Sequence, residues 1–154
     1  MKKRFNSTGT CYADQHYMMD NREKVAKVYE LVERGMYFSI NRRRQYGKTT
    51  TLFAIYDKLL ATDTYFPIRL NFQGVDEKFH HSDGTFAEMF IYLVFQHLKF
   101  NNLALANFLK DKLIEVKDLT TLSEVITDLV HFSPKKLVLL IDEVDASSNY
   151  TSFL

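Results

Sequence analysis

The sequence contains no tryptophan, one cysteine, two prolines and five glycines in 154 residues. The single cysteine, Cys11, cannot form a disulfide within the chain, so the cysteine content gives no indication of secretion. No apolar run approaches the roughly 20 residues that span a bilayer. The basic start of the chain has no hydrophobic segment behind it and is not a signal peptide. We therefore expect a cytoplasmic protein with no membrane partner.

The composition is that of a globular protein. Hydrophobic residues make up 46% of the sequence and charged residues 25%, which are ordinary values for a packed domain. The formal net charge of +1 excludes a basic field over the whole chain, although local basic patches are still allowed. The length suits one core-bearing domain. We divide it into an irregular segment, residues 1–20, and a core, residues 21–154.

Three segments have the pattern of β-strands. Residues 36–41 are short and mostly apolar, which favours a buried strand. Residues 66–72 alternate apolar and polar side chains, which predicts a strand with one wetted face near a sheet edge. Residues 137–141 are apolar at every position, as in a central strand covered on both faces.

Helical periodicity fills the segments between these strands. Asp20 and Glu23 have capping-box spacing before a helix that ends near Gly35, and Thr85 and Glu88 have the same spacing before a helix that ends near residue 100. Three further helical segments are predicted over residues 48–60, 103–116 and 121–132. Strands separated by helices indicate a three-layer α/β fold with a parallel sheet.

The sharpest motif is Gly47-Lys48-Thr49, between a predicted strand and a predicted helix. A glycine lets successive backbone N–H groups point at phosphate oxygens. The lysine reaches the β- and γ-phosphates, and the threonine hydroxyl ligates Mg²⁺. The helix that begins at Lys48 adds its positive end. Arg42 stands where the usual P-loop has its first glycine.

The second motif is Asp142-Glu143, about 94 residues after Lys48 and directly after the apolar strand. A carboxylate at the C-terminal end of a central parallel strand lies at the edge where such sheets bind ligands. Asp142 is therefore a candidate to hold Mg²⁺ as a Walker B aspartate, and Glu143 a candidate general base for water. Both carboxylates could also simply begin a surface turn.

The chain resembles the AAA-ATPase-like family of prokaryotic P-loop proteins, which is itself similar to the AAA+ and STAND ATPases of the ASCE division. The resemblance rests on the following segments: Arg4-Phe5-Asn6-Ser7-Thr8-Gly9, Cys11, His16-Tyr17-Met18, Tyr37-Phe38-Ser39-Ile40-Asn41-Arg42-Arg43-Arg44-Gln45-Tyr46-Gly47-Lys48-Thr49-Thr50-Thr51-Leu52, and residues 137–145. The family accepts arginine in place of the first P-loop glycine.

The resemblance implies an ATP-binding module of a Mg²⁺-dependent ATPase. Its phosphate-binding loop would comprise Arg42, Arg43, Arg44, Gln45, Tyr46, Gly47, Lys48, Thr49 and Thr50. Thr49 and Asp142 would serve the metal, and Glu143 would be the catalytic glutamate. Sensor residues, an arginine finger, and an effector domain or oligomer partner would lie beyond Leu154, so we expect little hydrolysis by these 154 residues alone.

The resemblance also implies an incomplete sheet. The ASCE strand order is 5-1-4-3-2, and residues 36–41, 66–72 and 137–141 would be strands 1, 2 and 3. No helix and fourth strand fit after Asp145. The first and third strands would then lie roughly 9–10 Å apart, with unpaired edges that favour aggregation or pairing with another chain.

Several other functions compete with an ATPase. A GTPase lacks support because neither N-K-x-D nor D-x-x-G is present. A small-molecule kinase shares the P-loop, but the Asp-Glu pair favours water as the nucleophile. A nucleotide-binding switch or truncated remnant without turnover stays open, and nucleotide binding without phosphate release would identify it.

Weaker signals have simpler explanations. The three arginines at 42–44 could contact DNA, but beside a phosphate-binding loop they more simply balance phosphate charge. Cys11, His16, His80 and His81 fit no zinc spacing. His16-Tyr17-Met18 is a candidate adenine contact.

Overall fold

The computed structural model describes residues 21–40, 48–73 and 82–143, and it divides into two compact units, Met1–Thr62 and Asp63–Leu154. The elements run α1 (Arg22–Glu33), α2 (Lys48–Leu60), β1 (Tyr65–Asn71), α3 (Asp83–Asn101), α4 (Leu103–Lys110), α5 (Leu119–Phe132) and β2 (Lys136–Asp142). A 3-10 turn, Leu113–Glu115, separates α4 from α5. The mixed α/β class is confirmed, whereas the three-layer arrangement stays a prediction.

In the first unit, α1 packs against α2. Val25 is the buried residue of α1, and Val28, Tyr29 and Val32 are half-buried at the same helical spacing. The ammonium group of Lys58 lies 4.6 Å from the centre of the Tyr29 ring. Such a cation–π contact at an exposed site stabilises the pair by roughly 0.5–1 kcal/mol. The periodicity in the sequence therefore identified the packed face correctly.

A glycine ends α1. The N–H of Gly35 donates to the carbonyl of Val32, and the N–H of Met36 donates to that of Leu31. These two bonds form a Schellman motif, which needs a left-handed residue, and Gly35 has φ +66°. The predicted end of the helix near Gly35 is confirmed. The predicted N-terminal capping box is not, because the N-cap is Asn21 and its side chain makes no cap hydrogen bond.

The strand predicted at residues 36–41 is wrong for the part that the structure describes. Residues 36–40 have irregular backbone. Tyr37 is fully exposed and Met36 is 56% exposed. A strand exists only through hydrogen bonds with a neighbouring strand, and among the described residues β1 and β2 pair only with each other. Because the described residues contain no first strand, the predicted distance between the first and third strands does not apply to them.

The second unit is organised by a parallel pair of strands. β1 pairs with β2 over seven positions, from Tyr65 opposite Lys136 to Asn71 opposite Asp142. The ladder continues one residue further, where the N–H of Phe72 donates to the carbonyl of Asp142 at 3.1 Å. The second and third predicted strands are thus neighbours, as the expected order requires.

Burial differs from the prediction in both strands. β1 was expected to have one wetted face, yet Tyr65, Phe66, Pro67 and Ile68 are all buried. β2 was expected to be covered throughout, yet Leu139 is 38% exposed. The reason is that α3 packs against β1 rather than centrally over the pair. Hydropathy alone does not reveal which strand the covering helix contacts.

The main hydrophobic core lies between β1 and α3. Phe72, Phe86 and Phe90 form an aromatic cluster with ring centroids 6.0–6.3 Å apart, which is the range of favourable aromatic pairs. Helix α3 is capped by Ser82, whose hydroxyl accepts from the N–H of Thr85. The predicted cap at Thr85 is therefore wrong by three residues. Among the described residues, no helix has the length and apolarity needed to cross a membrane.

The segment between α3 and β2 contains more interruptions between its helices than predicted. The helix expected over residues 103–116 ends at Lys110. The helix expected from residue 121 begins at Leu119, because Asp118 caps it. The side chain of Asp118 accepts from the N–H of Thr121 at 2.8 Å, and this bond holds the pKa of the Asp118 carboxyl below its usual range. α5 packs against both α3 and α4.

The first turn of α3 lies directly against the segment before α5. A Cβ at Gly84 would lie 2.6 Å from the carbonyl oxygen of Lys117. Real Cβ atoms essentially never approach a backbone oxygen so closely. Glycine at this position therefore permits the close contact between two backbone segments of the second unit.

We predict that Gly84→Ala destabilises the protein. A glycine-to-alanine change within a helix normally stabilises it by roughly 0.5–1 kcal/mol, whereas overpacking against fixed backbone costs about 1–3 kcal/mol. The midpoint of urea unfolding should therefore fall relative to wild type. An increase in the midpoint would show that the contact with Lys117 is not close in solution.

His97 on α3 lies against β1. The carbonyl of Pro67 accepts a hydrogen bond from its imidazole, and the ring meets that of Phe66 edge-on, with centroids 6.5 Å apart. Burial lowers the pKa of His97 below its usual value of 6.5; the Pro67 carbonyl opposes this effect and the charge of Arg69 adds to it. The folded protein therefore favours the neutral imidazole.

We predict that stability falls as the pH drops below about 6.5. The unfolded chain then binds a proton at His97 before the folded chain does, so unfolding becomes more favourable until the lowered folded pKa is reached. His97→Gln should reduce this acid sensitivity in urea titrations at pH 8 and pH 5.5. His131→Gln, at an exposed position of α5, serves as the matched control and should leave the sensitivity intact.

Candidate functional site

Helix α2 runs from Lys48, the first described residue after residues 41–47, to Leu60. Lys48, Thr49 and Thr50 form its first turn and are half-buried, and Thr51 is 5% exposed. No acidic side chain lies in that turn. The first N–H groups of a helix point away from it and carry a partial positive charge. This end of α2 is therefore suited to a negatively charged ligand.

The remainder of the predicted loop lies outside the described residues. It comprises Arg42, Arg43, Arg44, Gln45, Tyr46 and Gly47. Their assignment to phosphate binding stays a prediction from the sequence. So does the possible DNA contact of the three arginines.

Asp142 is the last residue of β2, and it is 5% exposed. Its Oδ1 accepts a hydrogen bond from the N–H of Glu143 at 3.1 Å. Burying a carboxylate is costly unless hydrogen bonds or cations compensate the lost hydration. The position matches the prediction, since the carboxyl ends of parallel strands are where α/β sheets bind ligands.

Glu143 has an unusual backbone. Its φ of 56° lies in the left-handed region, where residues other than glycine are uncommon. Such conformations cost of order 1–3 kcal/mol and cluster at functional sites. Here the left-handed turn directly follows the strand, and the Glu143 N–H is bonded to the Asp142 carboxylate. The side chain is half-buried. The sequence predicted the residue but not its conformation.

The structure adds Asn71 to this edge of the sheet. Asn71 is the last residue of β1 and stands directly opposite Asp142 in the ladder. It is exposed, and its Oδ1 accepts from the N–H of Gln73 at 2.8 Å. Sequence reasoning missed it because Asn71 was assigned to the polar face of an edge strand. A signal was present, since both strands end in a short polar residue that can ligate or hydrogen-bond.

Among the described residues, no group of three or more His, Cys, Asp or Glu side chains could hold a metal ion. Mg²⁺ is usually bound through one or two protein oxygens together with substrate phosphates and water. Thr49 and Asp142 each carry a side-chain oxygen, and their assignment to Mg²⁺ stays a prediction from the sequence.

The two parts of the candidate site belong to different compact units. Lys48 and Thr49 lie in Met1–Thr62, whereas Asn71, Asp142 and Glu143 lie in Asp63–Leu154.

Comparison with known proteins supports the family. No curated protein and no solved structure matches the chain. The sequence model of one family, described as an AAA-like domain, matches residues 6–154. The match covers nearly the whole chain and confirms the resemblance at the level of the AAA-like family, while the P-loop stays a prediction. The chain belongs to the AAA-like domain family.

Proposed function

We propose that the chain binds ATP with Mg²⁺ and that the bound ATP is hydrolysed to drive a conformational change. Membership of the AAA-like family supports nucleotide binding in general. The hydrolytic reaction, the metal and the individual residue roles are our proposal.

One observation carries the proposal most strongly. Asp142 is a buried carboxylate at the carboxyl end of a parallel strand whose preceding five residues, 137–141, are apolar, and Glu143 follows it. An apolar strand that ends in a surface turn would normally leave its carboxylate exposed, because hydration stabilises the charge. A buried carboxylate at the ligand-binding edge of a sheet is instead typical of a group that supports a cation.

The start of α2 has the complementary chemistry. Lys48 provides a compact positive charge for the β- and γ-phosphates, and the N–H groups of the first turn add partial positive charge. Thr49 contributes a hydroxyl oxygen for the metal. We therefore assign phosphate binding to the start of α2 and support of the metal to the end of β2.

The bound metal would neutralise charge on the transferred phosphate. Asp142 would hold it, directly or through water. Glu143 would accept a proton from the attacking water, and its left-handed backbone sets the direction of its side chain as it leaves the strand. A switch that binds ATP without turnover would use the same residues apart from this proton transfer. Nucleotide binding without phosphate release by the wild-type protein would identify that alternative.

We predict that Lys48→Ala weakens ATP binding by about 10- to 100-fold, because a charge-assisted hydrogen bond contributes roughly 1.5–3 kcal/mol. The measurement is a titration of the purified chain with a fluorescent ATP analogue and Mg²⁺. Lys58→Ala, near the other end of α2, is the matched control and should bind like wild type. Equal affinities for Lys48→Ala and wild type would contradict the phosphate-binding role.

We predict that Glu143→Gln in the intact protein retains ATP binding and loses hydrolysis by about 10²- to 10⁴-fold. The amide keeps the size of the side chain but cannot accept a proton from water. Phosphate release measures turnover, and the same nucleotide titration measures binding. Glu124→Gln, at an exposed position of α5, should leave both unchanged. Turnover at the wild-type rate in Glu143→Gln would exclude Glu143 as the base.

A further inference from the structure

We infer that a groove on the second unit binds the same groove of a second copy of the chain. This α3 groove lies between the first half of α3 and the segment that precedes α5, and its volume is about 300 Å³. The lining residues that carry the inference are Glu88, Ile91, Tyr92, Ile114, Val116 and Lys117. The inference is independent of the proposed nucleotide site, because none of these residues belongs to it.

The walls of the α3 groove are held in place by the fold. Ile91 and Val116 are only 1% and 2% exposed, so both are anchored in the unit. The first turn of α3 touches the opposite wall, where Gly84 approaches the carbonyl of Lys117. In the 3-10 turn, the N–H of Val116 donates to the carbonyl of Leu113. A surface that is already ordered loses little conformational freedom when it binds a partner.

The α3 groove also exposes large apolar side chains. Ile114 is 83% exposed and Tyr92 is 53% exposed. Exposed apolar side chains bordered by polar ones mark interaction sites. Small-molecule sites bury most of their ligand, and a groove with so exposed a residue as Ile114 in its lining does not enclose one. The groove therefore suits a protein surface that supplies apolar side chains of its own.

The charges of the α3 groove favour a second copy as that partner. Glu88 on α3 and Lys117 on the opposite wall are both exposed. Among the described residues, neither side chain takes part in an ion pair. A twofold axis makes a patch contact itself, so that one residue of each copy meets a different residue of the other. Glu88 of each copy then lies opposite Lys117 of the other, while Ile114 of each copy enters the opposing groove.

The first test is the oligomeric state of the chain without nucleotide. Sedimentation equilibrium at increasing concentration should show a reversible equilibrium between monomer and dimer. A wild-type chain that is monomeric at every concentration up to about 1 mM would overturn the inference. That result would leave the proposed ATP binding untouched, since the nucleotide titration is a separate measurement.

The apolar contact is tested by Ile114→Ala, which should raise the dimer Kd at least about tenfold because each dimer buries the side chain twice. Leu103→Ala is the matched control. Leu103 is also a large apolar residue, 65% exposed, but it lies on α4 outside the groove. Its Kd should stay within about twofold of wild type. Equal dimer Kd values for wild type and Ile114→Ala would overturn the inference.

The charge contact is tested by reversing one charge at a time. Glu88→Lys places two like-charged pairs across the twofold axis, and so does Lys117→Glu. Each variant alone should raise the dimer Kd at least about tenfold. Glu124→Lys and Lys110→Glu make the same changes in net charge at exposed positions outside the groove. These two controls should keep the wild-type Kd within about twofold.

The decisive experiment mixes the two groove variants. Opposite charges again face each other when Glu88→Lys meets Lys117→Glu, so the mixture should form a one-to-one heterodimer with about the wild-type Kd. An affinity tag on one variant allows capture of the untagged other, and circular dichroism checks that both variants are folded. The inference is overturned if the folded variants do not associate on mixing, or if either variant alone dimerises as tightly as wild type.

Discussion

The parallel ladder between β1 and β2 is the constraint on which the second unit depends. It joins two segments that are far apart in the sequence, and α3 packs against β1 to form the main core. It also ends both strands at the same edge, so that Asn71 and Asp142 become neighbours. A shift of one residue in this register would turn Asp142 to the other face of the sheet and Ile141 into its place. The core and the candidate site therefore depend on a single alignment.

The sequence predicted the features whose signals are local. The apolar run before Asp142, the helical spacing after Lys48 and the glycine at the end of α1 each have an immediate physical cause, and each appears in the structure. The error at residues 36–40 has a different origin. A short apolar segment satisfies the composition of a strand, but only a neighbouring strand can supply its hydrogen bonds, and such a neighbour is a property of the whole fold.

The same limit explains the exposure of the two strands and the new residue at the site. From the alternating pattern of β1 and the apolar run of β2, we expected β2 to be the more buried strand. The structure shows the opposite, because the position of α3 decides which strand is covered. Asn71 belongs to no sequence motif, because only the ladder places it opposite Asp142. Long-range pairing is in general invisible to spacing rules, whereas Lys48 and Asp142 were predicted as site residues because their motifs are contiguous in the sequence.

The distance along the chain between paired residues also has a consequence for synthesis. Tyr65 pairs with Lys136, about 71 positions later, so β1 leaves the ribosome well before its partner exists. At roughly 5–20 residues per second, this delay is on the order of 4–14 s. Helix α3 follows β1 directly in the chain and packs on it in the finished fold. Helix α3 is therefore available to cover the side chains of β1 before β2 has been synthesised. The ladder itself can form only after β2 has been synthesised.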